Sequence, residues 1–139
     1  MKHEPARFPY IEQDPSLGRS SRQPYVPIRP RIGEISVEVL GLVDSGASVN
    51  VMPYKVGVAL GAVWEHQTTS INLTGNLGAH EARVLLCSAK IANFSPVRLA
   101  FSWSRAESIP VILGQINFFM EYDVCFFGSK FELDIQPKS

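Results

Sequence analysis

The sequence is short of cysteine, of excess charge and of long apolar runs, and each shortage removes a class of function. Only two cysteines occur, Cys87 and Cys125, both inside apolar stretches. There is no Cys-x-x-Cys pair, and His3, His66 and His80 form no His-x-x-x-His pair, so neither a metal nor another cofactor is expected. The cysteines read as buried free thiols in a reducing compartment, with a disulfide between them left open. Lysine plus arginine number 13 and aspartate plus glutamate number 13. Without a basic cluster, nucleic acid is not an expected partner. No stretch approaches the roughly 18 apolar residues of a membrane span. The first residues, Met1-Lys2-His3-Glu4-Pro5, lack the apolar core of a secretory signal, so a cytoplasmic location is the expectation.

What remains is an ordinary globular composition, 45% hydrophobic over 139 residues, enough for one domain with its own core. No internal repeat is present. Residues 1–24 carry Pro5, Pro9, Pro15 and Pro24 among polar groups, and read as an extended arm or loose tail before a domain spanning 25–139. Phe8, Tyr10, Ile11 and Leu17 give that arm something to pack with.

From Tyr25 the pattern is that of short strands. Tyr25 to Ile32 is extended, and Pro27 and Pro30 point to a sheet edge. Ile35 to Val39 alternates as a half-buried strand does, and Leu40-Gly41-Leu42-Val43 reads as buried on both sides. Pro53 stands at a favoured first-turn position for a short helix over 54–60, which Gly61 ends. Thr68 to Thr74 and Glu81 to Ile91 read as strands joined by a hairpin tip at Gly75-Asn76-Leu77-Gly78. Further strands are expected over 97–103 and 109–113, then a helix of about two turns over 115–122. A final hairpin spans 124–135, with Phe131, Leu133 and Ile135 on one face. Trp64, Trp103, Phe118, Phe119, Phe126 and Phe127 read as core or interface packing. Arg105 and Glu107 read as solvated. Many short strands with two short helices make a small all-β fold.

Asp44 interrupts this pattern. A carboxylate directly after an apolar strand is costly to bury unless paired or hydrogen-bonded. Ser45 adds a hydroxyl and Gly46 permits close approach of another backbone. Asp-Ser-Gly is also an ordinary turn composition, in which the aspartate bonds its own backbone.

The run Val43-Asp44-Ser45-Gly46-Ala47 resembles the active-site signature of the retropepsin-like aspartic proteases. Val111-Ile112-Leu113-Gly114 and the segment after it resemble that family's apolar-apolar-Gly element and following helix. Gly75 to Gly78 falls where the family's flap tip lies. The resemblance spans roughly 25 to 135. It implies a small closed acid-protease-like barrel with one or two short helices, assembling as a two-fold dimer. It further implies an endopeptidase for an extended peptide or protein substrate. Because one Asp-Ser-Gly occurs per chain, the second carboxylate would be Asp44 of a partner copy. Ser45 would lock the two loops, Gly46 and Ala47 would complete the active-site loop, and Ile112, Leu113 and Gly114 would support it.

Three departures stand out. Ser48 occupies a place where retroviral members carry an aspartate paired with a partner arginine, so that ion pair is not expected. Asn76 stands where the flap has glycine, and the C-terminal hairpin is longer than the minimal viral form.

Two other readings compete. The run Gly46-Ala47-Ser48-Val49-Asn50 loosely resembles a nucleophile elbow, with Ser48 as nucleophile and His66 or His80 as base. Asn50 and both histidines otherwise read as local backbone bonding and exposed loop residues. The fold could also persist as a catalytically silent dimerisation or peptide-binding module.

Overall fold

The computed structural model describes residues 4–71 and 81–139. Gly75, Asn76, Leu77 and Gly78, together with 72–74, His80 and His3, lie outside the described residues. The first half contains β1 (Ala6–Pro9), β2 (Ile11–Glu12), β3 (Arg22–Gln23), β4 (Tyr25–Ile32), β5 (Ile35–Ser36), β6 (Val39–Val43), β7 (Asn50–Pro53) and α1 (Tyr54–Ala59). The second contains β8 (Ser70–Ile71), β9 (Ala82–Lys90), β10 (Val97–Ser104), β11 (Val111–Leu113), α2 (Phe118–Glu121), β12 (Tyr122–Phe127) and β13 (Glu132–Pro137).

Strands β4, β6, β11, β7, β10 and β9 pair in that order, and β9 returns to β4. Six strands thereby close into a barrel, the all-β architecture expected. Its interior is filled by Val26, Ile28, Met52, Leu99, Phe101 and Leu113, all almost fully buried. Trp103 is also buried, stacks on Tyr54 at 5.5 Å and meets Trp64 edge-on at 5.1 Å. Its indole N–H donates to the Tyr54 carbonyl at 3.0 Å, which satisfies the one polar atom it brings inside. Gly57 makes room for that ring, since a Cβ there would lie 2.2 Å from Trp103 Cε2.

Several local expectations change. The prolines of β4 do not mark a sheet edge. The strand changes partner midway, pairing 25–28 with β6 and 29–31 with β9. Each half therefore has little demand for a second ladder, and Pro27 and Pro30 are tolerated. Pro53 is the N-cap of α1 and stands one residue ahead of the first turn, while Gly61, at φ +82°, ends the helix. The helix expected over 115–122 shrinks to Phe118–Glu121. The N–H groups of Gln115 and Ile116 are taken by the carbonyls of Ala47 and Ser48, so those residues belong to a loop clasp. Leu40-Gly41-Leu42-Val43 is buried on one side only. Gly41 and Val43 face the interior, whereas Leu40 is 46% exposed. Ile35 and Ser36 are exposed as well.

The proline-rich arm supplies β1, which pairs antiparallel with β13, and β13 pairs with β12 in a separate three-stranded sheet. Alternation puts Phe8, Val124, Leu133 and Ile135 against the core and leaves Cys125 on the outer face. Cys125 is thus exposed, against the expectation of burial. Cys87 is buried, and burial pushes its thiol up to about 12. Both are free.

Arg7 donates to Asp134 at 2.7 Å across this sheet, which holds the Asp134 carboxyl below its ordinary value. A lowered carboxyl stabilises the docked arm above the usual carboxylate range and stops doing so as pH falls through the folded value. The protection of the Phe8 amide, taken as its exchange rate relative to the intrinsic rate at each pH, is therefore expected to fall modestly on acidification. In Asp134→Asn that acid dependence should be absent, and its persistence would assign it to another group.

Candidate active site

Strand β6 carries Asp44 to the end of the barrel wall. Its residues alternate inward and outward, so Leu40, Leu42 and Asp44 share the outer face. The chain then arches over 44–49 before returning as β7. Strand β11 is inserted between the two, parallel to β6 (Ile112 opposite Leu42, Leu113 opposite Val43) and antiparallel to β7 (Ile112 opposite Val51). A loop crossing the end of an inserted strand can use that strand's free groups, and this one does. Asp44 N–H donates to the Leu113 carbonyl at 3.0 Å, and Gln115 N–H donates to the Ala47 carbonyl at 2.9 Å. The Gln115 side chain donates to the Ser45 carbonyl at 2.8 Å. Gly114 passes so close beneath that a Cβ would lie 2.4 Å from the Val49 carbonyl oxygen.

Within the loop, Gly46 N–H donates to Asp44 Oδ1 at 2.9 Å, and Ala47 N–H donates to the Asp44 carbonyl at 3.1 Å. The aspartate therefore does bond its own turn, but with one oxygen. Among the described residues nothing is hydrogen-bonded to Oδ2. The carboxylate is half-buried, and Ser45 and Gly46 are exposed. A recess of about 320 Å³ opens beside it, walled by Gln23, Pro24, Leu42, Val43, Ser45 and Phe126. A carboxylate with one oxygen tethered and the other open can accept a proton from water.

Asp44 thus bonds Leu113 and its own loop residues Gly46 and Ala47, Gly114 lies under the loop, Ser45 is held through Gln115, and Ile112 pairs with Leu42 and Val51. The expected flap residues lie outside the described residues. Ser48 does not sit in an elbow, because the loop runs into strand β7, without the strand-turn-helix geometry that exposes a nucleophilic serine. His66 is exposed and lines a different recess, of about 450 Å³, with Ile32, Val63 and Leu86. That recess is larger, and among the described residues it shares no lining residue with the one at Asp44 and includes no acid. Among the described residues no group of three His, Cys, Asp or Glu side chains converges as a metal site would require.

Asn50 differs from its expected local role. It is fully buried and bonds Gly114, Ala100 and Asn117. The signal for it was a lone polar residue in the apolar run Val49-Asn50-Val51-Met52. Phe126, 38% exposed, reaches the Asp44 recess from β12, a contact that no local pattern announces.

No family model matches the sequence, and no curated protein matches it. Solved structures do. Over 71% of this chain and 77% of the other, the fold matches the retroviral protease-like domain of Ddi1 from Leishmania major, at 19% identity and a TM-score of 0.56. Over 98% of this chain and 93% of the other, it matches a retropepsin-like aspartic protease from Rickettsia conorii, at 14% identity and a TM-score of 0.61. The chain has a retropepsin-like fold. No helix among the described residues is long and apolar enough to cross a membrane.

Proposed function

We propose that the chain is an aspartic endopeptidase that acts as a homodimer on extended peptide segments. The observation that carries this is Asp44 itself, fixed by Leu113 through its N–H and by Gly46 through Oδ1, with no hydrogen bond to Oδ2 among the described residues and a recess beside the carboxylate. One such carboxylate is half of an acid–base pair. A second Asp44 brought across a two-fold axis completes it. Two carboxylates at close range share one proton and titrate as a pair. The ionised member takes a proton from a bound water as that water attacks the scissile carbonyl. The protonated member gives its proton to the carbonyl oxygen; as the tetrahedral species collapses, the first carboxyl returns the water's proton to the leaving nitrogen, the second takes back a hydroxyl proton, and acid and amine are released. The peptide would lie extended, bonded as an added strand, and Ser45 would lock one loop to the other.

The free edge of β12 supports the dimer. Strand β12 ends the three-stranded sheet, pairs only with β13 among the described residues, and places Phe126 at the Asp44 recess. An open edge with an exposed aromatic is a surface a second copy can cover. Phe126→Lys is expected to give a folded monomer without peptidase activity, read by sedimentation and by cleavage of a mixed peptide library. An active monomer would refute the paired site, and a stable native dimer that cleaves nothing would favour the silent binding module.

A further inference from the structure

Strand β7 is buried along its whole length, yet Asn50 within it has no exposed surface and is polar. Its side chain serves three segments at once. Oδ1 accepts from Gly114 N–H at 2.8 Å, and Nδ2 donates to the Ala100 carbonyl at 3.1 Å and to Asn117 Oδ1 at 3.2 Å. Asn117 Oδ1 also accepts from Ala100 N–H at 3.0 Å, and its Nδ2 donates to the Arg98 carbonyl at 2.9 Å. The two amides clasp β10 to the peptide that follows β11. Burying an amide is tolerable only when it is satisfied, and Asn50 uses both donor hydrogens and an acceptor.

What the clasp holds is specific. Gly114 lies between Leu113, whose carbonyl receives Asp44 N–H, and Gln115, whose N–H and side chain bond Ala47 and Ser45. The loop and Gly114 are already in contact, so displacement of Gly114 passes to residues 44–49. A closely packed interior transmits such shifts. No apolar residue of similar size would fix Gly114 in this way, because the N–H would lose its acceptor.

The geometry points to Asn50 as a positioning residue for Asp44, acting through Gly114, with Asn117 orienting the Asn50 amide. Neither side chain is placed to touch substrate. The inference rests on the endopeptidase reading, and its test carries a readout that does not. Asn50→Asp keeps the size and the acceptor but, when ionised, loses both donors. Asn117→Ala keeps Asn50 and removes the group that orients it.

Amide spectra of the full chain are expected to show Asp44, Gly46, Ala47 and Gly114 shifted in both variants, more in Asn50→Asp. Leu133 and Ile135 in the terminal sheet should stay in place. On a cleaved peptide, kcat should fall about tenfold to a hundredfold with KM within about twofold. Unmoved 44–47 amides in a folded variant would overturn the inference, as would a rise in KM with kcat intact. Loss of the native fold in both variants would also overturn it, because the clasp would then serve the whole core. A native chain that cleaves nothing while its loop amides shift as expected would count against the endopeptidase reading and leave the positioning role supported.

Discussion

Asp44→Asn is expected to lower peptide cleavage by at least about a thousandfold, the upper part of what general acid–base groups contribute. The substitution changes almost nothing else. Asparagine has the same shape and keeps an oxygen to accept Gly46 N–H, now at 2.9 Å from Oδ1. The backbone bond from residue 44 to the Leu113 carbonyl is untouched. The side chain is half-buried and makes no ion pair among the described residues, so thermal stability should barely move. What disappears is the ability to hold and release a proton. Equal cleavage by native and variant chains would remove Asp44 from the chemistry.

Gly114→Ala is expected to cost about 3 kcal/mol of stability, at the upper end of overpacking. The added Cβ would meet the Val49 carbonyl oxygen at 2.4 Å and the Ala47 carbonyl oxygen at 2.8 Å. Both are backbone atoms of a loop tied to β11 and Gln115, so neither can turn aside as a flexible side chain could. The urea midpoint should fall accordingly. Activity should fall further than the folded fraction explains, because the displaced loop is the one that carries Asp44. Gly46→Ala makes a useful contrast. Its Cβ would meet only Asp44 Oδ1, at 3.3 Å, so the carboxylate should feel it and the fold should not. Similar midpoints for Gly114→Ala and the native chain would show that the loop yields more easily than its packing implies.

Much of the barrel is written in local pattern. Apolar runs ending in Asp44 and in Gly114 mark the ends of β6 and β11, and Gly61 marks the end of α1. These features depend on alternation, burial and left-handed glycine, which act over a few residues. Pairings between distant segments are less legible. Nothing near Ala6 says that it will lie opposite Ile135, and nothing in Pro27 or Pro30 says that β4 will change partners between them. The exposure of Cys125 follows from which face of the terminal sheet meets the core, a choice made by packing. Leu40 and Leu42 look buried in sequence because apolar character alone does not distinguish core from surface. Asn50 reads in sequence as bonding its local backbone, whereas its three partners are 50 to 67 residues away in sequence, beyond the reach of any local rule.

The central claim is that Asp44 works as half of a site. Mixing native chain with Asp44→Asn chain at constant total concentration, after exchange of subunits, tests it most directly. If each active unit needs two native copies, activity at equal proportions should drop to about a quarter, following the square of the native fraction. Activity that instead falls to half, in proportion to the native fraction, would mean that each chain works alone.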